Sequence, residues 1–527
     1  MCVPFSRAVS SSAVTAAALL TMAVPAGAQP APRPPRLFVV ITVDQLRADY
    51  LERFGAHFTG GLARLARDGA VFANAFQDHG ITETAPGHAA VLSGRYPYST
   101  GIVRNDEGVP DDAATLVGIT GIGASPHRFR GSTLLDWLRE RWPGSRMLSV
   151  SKKDRGAILP VGLAREGVQV YWYAADVFTT SNYYADSLPG WVRAFNSRLP
   201  AARAADRWWT LQRDSASYPE PDSVPWENRG REFVFPHAMS DTALHRRPWM
   251  DSLLLTLALE GARAMRLGNS RSPDILAVSL STLDYIGHEF GPESREVHDM
   301  MLWLDRYLGA FLDALDRRYG RNRVVLALTS DHGITARPEA SWRRGAAAAF
   351  VAVDSVLRPL RDTLMLRLGP SPGRWIPWRD VGMVALDRFA LARRGIDVDS
   401  LAAAIADRLR RLPGVAQVDT RLTLAGADTV ANTAARRWVR MLSPDTPGEV
   451  FVTLAPLHYM GRPRNVQHGQ PSDDDARVPL ILAGPGVRPG VYTGKAAVVD
   501  LGPTLAALAG VRPTEPVDGR VLSEALR

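Results

Sequence analysis

Short apolar runs that lead into acidic residues recur along the chain and predict buried strands. Leu37 to Val43 is rich in β-branched residues and is followed directly by Asp44. Ile275 to Leu280 leads toward Asp284, and Val324 to Leu328 leads into a Ser-Asp-His-Gly sequence. Runs of this length and composition are typical of fully buried strands. Because ligands of open α/β sheets bind beyond the carboxyl ends of the strands, these acidic ends predict one shared site.

The segments between the predicted strands carry apolar residues at helical spacing. One such series predicts a crossover helix packed on the sheet: Val297, Met300, Met301, Leu304, Leu308, Phe311, Leu312 and Leu315. Pro479 to Ala483 predicts a further strand, and Asp500 to Thr504 predicts the start of a short helix. Strands that alternate with helices predict an α/β fold with a mostly parallel central sheet flanked by helices.

Two stretches depart from this alternation and are interpreted as insertions on the core. The first, at about 165–250, is rich in Trp, Tyr, Pro and Arg, and the second spans about 336–455. Within the second, Leu401 to Leu412 has a helical pattern and is followed by an apolar run from Val415 to Val418. This stretch is therefore predicted to form a small α+β cap.

The N-terminal residues have the order of an export signal. Arg7 precedes an apolar run of 12 residues from Ala13 to Val24, and small residues at 26–28 offer a cleavage site. Residues 1–28 are therefore predicted to be a signal peptide, and residues 29–527 the mature domain with both insertions. The run is too short to span a bilayer and no later stretch reaches roughly 20 apolar residues. We expect a periplasmic or secreted protein without a membrane span.

Composition limits the chemistry available to the mature protein. The single cysteine, Cys2, lies within the predicted signal peptide, so any metal must be held by nitrogen and oxygen ligands. The formal net charge of +8 becomes +7 without Arg7, which favours an anionic partner only weakly. Arginines are scattered rather than gathered in one block, and no nucleic-acid-binding motif is present, so no nucleic-acid partner is expected.

Several polar residues are candidate metal ligands. Asp284 and His288 are spaced i, i+4 and would share a helix face, although a helix-capping aspartate and a surface histidine would give the same pattern. The pair Asp331 and His332 directly follows an apolar strand, where two adjacent ligands can turn toward one metal. His468 is a lone histidine before the Pro479 strand and indicates little by itself.

A Thr-Ala-Pro-Gly-His sequence that begins at Thr84 precedes a short apolar segment. Its ordinary interpretation is a helix start with Thr84 as the N-cap and a proline in the first turn. A functional interpretation uses the same geometry, because a hydroxyl at a helix N-terminus lies where a phosphate is also favoured. Threonine is a poor nucleophile, so a metal would have to assist it.

The segment from Thr84 to Asn105, TAPGHAAVLSGRYPYSTGIVRN, resembles the nucleophile segment of the alkaline phosphatase superfamily. It is similar to the branch that uses threonine, which includes nucleotide pyrophosphatases/phosphodiesterases and phosphate-irrepressible alkaline phosphatases. In both groups an asparagine follows the threonine by 21 positions, as Asn105 follows Thr84. The resemblance covers essentially the mature chain and implies an alkaline phosphatase-like fold with Thr84 as nucleophile.

The resemblance also implies two zinc sites and the residues that hold the phosphoryl group. One zinc would be bound by Asp284, His288 and His468. The other would be bound by Asp44, Asp331 and His332 together with the Thr84 oxygen. His88 belongs to the same motif but is not a ligand in the family, and its expected role is structural.

The sequence Ser-Lys-Lys-Asp-Arg-Gly from Ser151 resembles the phosphomonoesterase branch, in which a Lys-x-Arg pair contacts the phosphoryl group. Lys153 and Arg155 would be that pair, although a basic surface loop is the ordinary interpretation of these residues taken alone. Because lysine there stands where other alkaline phosphatases use magnesium, the resemblance implies two zincs and no required magnesium.

The implied function is that of a zinc-dependent alkaline phosphatase acting on small phosphate monoesters. Hydrolysis would pass through a phosphothreonine on Thr84, with Asn105, Lys153 and Arg155 on the non-bridging oxygens. Two alternatives remain open. One is a phosphodiesterase or nucleotide pyrophosphatase on the same scaffold, and the other is a non-catalytic protein that binds a ligand through the aromatic run Tyr171-Trp172-Tyr173.

Overall fold

The structure, a computed structural model, describes Met1 and residues 35–527 apart from 201–207, 239–245, 370–374, 378, 447 and 462–464. The rest of the predicted signal peptide, including Cys2, lies outside the described residues. Within the described ranges, none of the helices has the length and apolar character of a membrane-spanning segment.

The described chain contains a nine-stranded central sheet. Its strands in chain order are β1 (Leu37–Val43), β2 (Ala70–Phe72), β3 (Met147–Ser151), β4 (Val168–Ala174), β5 (Val177–Thr179), β6 (Asp274–Leu280), β7 (Val324–Thr329), β8 (Leu480–Ala483) and β9 (Gly490–Tyr492). Their spatial order is β9-β2-β8-β7-β1-β6-β3-β4-β5. The neighbours from β7 to β4 pair in parallel, whereas β8 and β5 run antiparallel to β7 and β4. The predicted mostly parallel α/β fold is confirmed.

Helices cover both faces of the sheet. Those with eight or more residues outside the cap are α1 (Gly61–Asp68), α2 (Thr84–Ser93), α3 (Leu134–Arg141), α4 (Trp249–Ala264), α5 (Thr282–Phe290), α6 (Arg295–Tyr319) and α7 (Leu501–Ala509). One face of the sheet, with the odd-numbered residues of β1, is covered by helices α1, α4, α5 and α6. The other face, with Phe38 and Val40, is covered by α2, α3 and α7. All seven residues of β1 are buried because its alternate side chains enter two separate cores.

The predicted crossover helix is present as α6. Its buried residues include the apolar series found in the sequence, and Ser294 caps its N-terminus by accepting a hydrogen bond from the Val297 amide. Shorter helices are also described outside the cap: Tyr50–Arg53, Pro97–Thr100, Asp154–Ile158, Gly190–Asn196, Pro338–Arg343 and Asp473–Ala476.

The first stretch interpreted as an insertion begins with strands of the central sheet. β4 pairs in parallel with β3, and β5 pairs with β4, so residues 168–179 form one edge of the sheet. Tyr171 and Trp172 are each 3% exposed and their side chains enter opposite cores. The aromatic composition that suggested an insertion is therefore that of a strand buried on both faces. These aromatic side chains are part of the core, which disfavours the ligand-binding alternative built on them.

The second stretch contains a four-stranded sheet in the order Arg379–Asp380, Met383–Ala385, Gly448–Leu454, Val415–Thr420. We call residues 350–454 the cap. Its predicted helix runs from Val398 to Leu409, three residues earlier than expected, because the Asp397 side chain caps it by accepting from the Asp399 amide. Its other helices are Asp354–Leu368, Arg388–Arg393, Arg421–Ala425 and Thr433–Val439. The cap has a hydrophobic core of its own.

The cap is joined to the central-sheet part of the chain by a buried carboxylate. Asp78 is 2% exposed, and its side chain accepts hydrogen bonds from Arg436, Arg437, Arg440 and Lys495. Burial acts to raise the pKa of Asp78, but the surrounding cations outweigh it and hold the pKa below its ordinary value. Since Asp78 lies in the loop that leads to α2, this network ties the cap to the segment that carries Thr84.

Removal of this carboxylate should destabilise the protein strongly. We expect Asp78→Ala to lower the free energy of unfolding at pH 7 by about 3 kcal/mol, because it leaves buried arginines without a counter-ion. The folded-state pKa lies below the unfolded value of 3.8, so the contribution is complete above that value and is lost as pH falls toward the folded pKa. Urea unfolding of both proteins at pH 7 and pH 3 measures this difference.

Asp445→Ala is the matched control, because Asp445 forms an exposed ion pair with Arg130 and should change stability by less than about 0.5 kcal/mol. An Asp78→Ala protein as stable as this control would show that the network does not anchor the cap.

Candidate active site and metal centre

The candidate site lies at the carboxyl edge of the central sheet. Asp44 directly follows β1, Asp331 follows β7, and Lys153 follows β3. Asp284 lies in the first turn of α5, which follows β6, and Thr84 is the first residue of α2. Parallel strands bring these residues to one edge although they are far apart in sequence, as the acidic strand ends predicted.

Asp284, His288 and His468 form a group that we call cluster 1. The Asp284 Oδ1 atom lies 3.2 Å from His288 Nε2 and 3.7 Å from His468 Nε2. One ligand atom from each of the three residues lies within 4.8 Å of the others. The helical spacing of Asp284 and His288 on α5 places both on one face, and His468 reaches the same point from a separate loop.

Asp44, Asp331 and His332 form a second group, which we call cluster 2. The His332 Nε2 atom lies 3.4 Å from Asp44 Oδ1 and 3.6 Å from Asp331 Oδ2. All three side chains are fully buried. The rings of His332 and His468 stack with 3.6 Å between their centroids, so the two clusters are immediate neighbours.

Hydrogen bonds orient the histidines of both clusters in the same way. The Nδ1 atoms of His288, His332 and His468 contact the backbone carbonyls of Val466, Gly333 and Thr82, respectively. Because a carbonyl can only accept, Nδ1 is the donor in each contact, and Nε2 is the ring atom left to face the cluster. A hydrogen bond from the other ring nitrogen to a backbone carbonyl is characteristic of histidines that bind metals.

The charges of the site also fit metal ions. Asp44 is buried together with two other carboxylates, and burial, followed by repulsion from Asp284 and Asp331, raises the pKa of Asp44 to about 7. No described donor forms a hydrogen bond with Asp44 Oδ1. The aspartates and histidines supply oxygen and nitrogen donors in two adjacent groups of three. The residues therefore fit a binuclear metal site.

Lys153 lies between the two clusters. Its Nζ atom is 2.6 Å from Asp44 Oδ2 and 2.6 Å from Asp284 Oδ2, and the side chain is almost completely buried. Burial acts to raise the pKa of Asp284, but Lys153 and then His288 outweigh it and hold the pKa well below its ordinary value. Asp284 in turn raises the pKa of His288 against the effect of burial, so a metal at cluster 1 competes with a proton.

Thr84 lies at the point where these groups meet. Its Oγ1 atom is 3.4 Å from Lys153 Nζ and 3.5 Å from His332 Nε2, and the residue is 1% exposed. Thr84 is the first residue of α2, and Glu83 takes the N-cap position that the sequence suggested for Thr84. The hydroxyl therefore faces cluster 2 at the positive end of a helix, where a phosphate is also favoured.

Asn105 and Arg155 border the site without contacting either cluster among the described residues. Asn105 Oδ1 accepts a hydrogen bond of 2.8 Å from the Ala85 backbone N–H, and the backbone N–H of Asn105 donates to Glu83 Oε2. The Nδ2 group of Asn105 is thus the part left to donate beside Thr84. The Arg155 guanidinium contacts Asp154, and Arg155 Nε has no described hydrogen-bond partner. Burial acts to lower the pKa of Arg155, but Asp154, Asp44 and Asp284 outweigh it and raise that pKa.

His88 joins α2 to the residues beneath it. Its Nδ1 atom lies 2.9 Å from the Thr84 carbonyl and 3.1 Å from Asp331 Oδ2, and its Nε2 atom lies 2.8 Å from Ser279 Oγ. The close approach of α2 also requires Gly87, because a Cβ atom there would lie 2.2 Å from the Asp331 carbonyl oxygen. His88 is thus placed to fix Asp331 and the start of α2 relative to each other.

Gln45 is a residue of the site that the sequence pattern does not indicate. This buried residue adopts a left-handed backbone with φ of 68°. Its amide N–H donates to Asp331 Oδ1 at 3.2 Å, and its side-chain Nε2 donates to Asp284 Oδ1 at 2.8 Å. Gln45 therefore connects a carboxylate of each cluster. Its position directly after Asp44, as an uncharged polar residue at a strand end, was the available signal.

Lys152 and Tyr285, which the sequence pattern does not indicate, support the position of Lys153. The neighbouring Lys152 donates a hydrogen bond of 2.6 Å to the hydroxyl of Tyr285, the residue after Asp284. Lys153 Nζ itself lies 5.5 Å from the centre of the Tyr285 ring, which is within the range of a cation–π contact. The end of β3 is thus attached to the first turn of α5.

Comparison with known families matches residues 38–364 to the family described as type I phosphodiesterase/nucleotide pyrophosphatase. The chain is 30% identical over 521 residues to alkaline phosphatase PhoV of Synechococcus elongatus, covering 94% of this chain and 93% of that protein. It is 31% identical over 561 residues to alkaline phosphatase PhoK of a Sphingomonas species, covering 97% of each.

Among solved structures, the crystal structure of wild-type alkaline phosphatase PafA superposes with a TM-score of 0.86. The two chains are 24% identical, and the match covers 94% of this chain and 99% of the other. At this identity the similarity shows a shared fold. The expectation of an alkaline phosphatase-like fold is therefore confirmed.

The Gln45 side chain should support metal binding. Gln45→Gly leaves the left-handed backbone accessible and removes only the amide that holds Asp284. We expect the variant to bind zinc roughly tenfold more weakly, as is typical when a residue that orients a metal ligand is removed. Zinc titration against a competing chelator measures the change.

Gln417→Ala serves as the control, because the Gln417 amide donates to Asp419 within the cap. Unaltered zinc affinity in Gln45→Gly would mean that the clusters hold their geometry without this residue.

Proposed function

The chain belongs to the type I phosphodiesterase/nucleotide pyrophosphatase family, and from this we propose that it is a zinc-dependent alkaline phosphatase that hydrolyses small phosphate monoesters through Thr84. The observation that carries the proposal is the position of Thr84 Oγ1, 3.4 Å from Lys153 Nζ and 3.5 Å from His332 Nε2 at a helix N-terminus. Full-length similarity to two alkaline phosphatases supports the choice of a monoesterase.

Zinc suits the donor set, which consists of histidine nitrogens and carboxylate oxygens in two groups of three. Cluster 1 would hold one ion, and cluster 2 would hold the other with the Thr84 oxygen. When bound, the ions would supply Lewis-acid charge that lowers the pKa of a bound hydroxyl or water and stabilises the leaving oxygen. Magnesium is not required in this proposal, because Lys153 already supplies a cation between the clusters.

The chain's own residues then carry out two displacements. Thr84 Oγ1 attacks phosphorus in line and gives up its proton, so a bond from Oγ1 to phosphorus forms, the ester bond breaks, and the leaving group departs as the alcohol after taking up that proton. Water then attacks the phosphothreonine, the bond from Oγ1 to phosphorus breaks, one proton of the water returns to Thr84, and inorganic phosphate leaves with the other. Throughout, Lys153, Arg155 and the Asn105 amide donate to the non-bridging oxygens, where preorganised donors stabilise developing charge.

The preference for monoesters rests on charge. A monoester dianion carries one more anionic oxygen than a diester, and Lys153 is only 7% exposed, so its charge acts in a poorly screened environment. A phosphodiesterase or nucleotide pyrophosphatase on the same scaffold is the competing function. The order of the N-terminal residues supports export of the enzyme to the periplasm or outside the cell.

The nucleophile is tested by trapping the covalent intermediate. We expect Thr84→Ala to lower kcat at least ~10³-fold and to remove the acid-stable phosphoenzyme, since no other hydroxyl would take its place. Zinc content should stay close to that of the wild type, because the aspartate and histidine ligands remain. Acid quenching with labelled substrate followed by peptide mapping locates the phosphate. Label on another residue in wild-type enzyme would refute the assignment of Thr84.

Replacement of both Lys153 and Arg155 by alanine should change the choice of substrate. Loss of one preorganised donor typically costs 10² to 10³ in rate, and we expect at least ~10² here for monoesters with a much smaller loss for diesters. The ratio of kcat/KM for p-nitrophenyl phosphate and bis-p-nitrophenyl phosphate measures this effect. Because misfolding or metal loss lowers both rates together, the ratio isolates the phosphoryl contacts. Equal losses on both esters would favour the phosphodiesterase.

A further inference from the structure

Asp475 is a fully buried carboxylate that the proposed reaction does not use. It lies in the short helix Asp473–Ala476, in the segment that follows His468, and it is 0% exposed. An ionisable group is costly to bury unless its oxygens are hydrogen-bonded. The partners of its oxygens therefore indicate what Asp475 holds in place.

The side chain of Asp475 is connected to His468 of cluster 1. Its Oδ2 atom accepts a hydrogen bond of 2.8 Å from the backbone N–H of Gln470. The Gln470 carbonyl accepts one of 2.8 Å from the hydroxyl of Thr82, and the Thr82 carbonyl accepts the Nδ1 hydrogen bond of His468 at 2.8 Å. The carboxylate thus holds the loop of His468 against the residue that orients its ring.

Asp475 is also connected to His332 of cluster 2. The Asp475 backbone carbonyl accepts a hydrogen bond of 2.6 Å from the backbone N–H of Gly333, whose own carbonyl accepts from His332 Nδ1 at 2.9 Å. Asp475 Oδ1 accepts a further hydrogen bond of 2.7 Å from the hydroxyl of Thr335. Two bonds therefore hold the loop after His332 against Asp475.

The two segments that carry these histidines approach each other closely. A Cβ atom at Gly333 would lie 2.3 Å from the backbone carbonyl oxygen of Asp474. The rings of His332 and His468 stack with 3.6 Å between their centroids. Because both histidines are held through Asp475, their separation depends on directed hydrogen bonds as well as on the stacking contact.

We propose that Asp475 is a positioning residue that fixes His468 and His332 relative to each other and thereby sets the separation of the two clusters. The inference rests on the proposed function only in treating the two histidines as zinc ligands. It follows from the two hydrogen-bond paths that leave Asp475, one toward each histidine, and from the close approach at Gly333. The carboxylate acts through these bonds and not by contact with the clusters.

The Nδ1 protons of the two histidines report this role in the zinc-free protein. Nuclear magnetic resonance of protein with isotope-labelled histidine should show hydrogen-bonded Nδ1–H signals for His332 and His468, assigned by substitution of each in turn. We expect Asp475→Ala to lose both signals, because the protons exchange with water once the loops separate. Asp475→Asn should retain them, since its side chain has the same shape, accepts from Gln470 and donates to Thr335.

Two controls separate positioning from a general loss of structure. The Nδ1 atom of His298 lies 2.9 Å from Glu220 and is not part of this network, so its signal should survive in Asp475→Ala. Asp473→Ala is the matched variant, because Asp473 belongs to the same short helix, has a side chain that is 71% exposed and pairs with Arg437. It should retain all three signals.

Zinc affinity measures the consequence for the clusters. In a titration against a competing chelator, we expect both sites of Asp475→Ala to bind zinc roughly tenfold more weakly, as is typical when a residue that supports metal ligands is lost. Asp475→Asn should bind zinc as the wild type does, because rescue by an isosteric side chain depends on its hydrogen bonds.

Thr82→Val and Thr335→Val each remove one hydroxyl of the network with little change of shape. We expect Thr82→Val to weaken the His468 signal alone and Thr335→Val to weaken the His332 signal alone. These variants decide the matter if Asp475→Ala is unfolded or also loses the His298 signal.

The outcomes separate this inference from the proposed function. A folded Asp475→Ala protein with both signals and wild-type zinc affinity, or unchanged signals in both valine variants, would overturn the inference and leave the phosphatase proposal standing. A wild-type protein that binds no zinc would overturn the proposed function, and with it the assignment of Asp475 as a positioning residue for metal ligands.

Discussion

The burial of three carboxylates at one edge of the sheet is the constraint on which the site depends. Asp44, Asp284 and Asp331 are almost inaccessible to solvent, and ionised carboxylates so close together are costly unless cations compensate them. Lys153 supplies one positive charge between Asp44 and Asp284. Burial together with the remaining negative charge raises the pKa of Asp44. Metal ions are the compensation that this arrangement fits.

The fold brings the residues of the site together at that edge. Parallel strands β1, β6, β7 and β3 end side by side, so residues from four distant parts of the chain meet without long loops. Helix α2 then closes over cluster 2, and the absence of a side chain at Gly87 permits its approach to Asp331. Gln45 and His88 hold the carboxylates from behind, while Asp78 anchors the cap to the loop before Thr84. The position of Thr84 is therefore set by packing and hydrogen bonds of residues outside the two clusters.

The parts predicted from sequence were those with a local pattern. The apolar strands ending in aspartate and the amphipathic α6 have clear periodicity, and the candidate ligands other than His468 lie after such strands. Residues whose role depends on three-dimensional contacts carried little signal. Gln45 and Tyr285 act through partners more than 100 positions away. Val168–Ala174 lies in the stretch interpreted as an insertion, because a strand buried on both faces lacks the alternation of apolar and polar residues that marks a half-buried strand.

The central claim is that the two clusters bind two zinc ions next to Thr84. It is tested most directly by diffraction from crystals of the purified protein, with data collected on both sides of the zinc absorption edge. The account predicts two anomalous peaks, one bonded to Asp284, His288 and His468 and the other bonded to Asp44, Asp331 and His332, with Thr84 Oγ1 beside the second. Zinc-replete crystals with no peak at these residues, or with a single peak elsewhere in the chain, would contradict it.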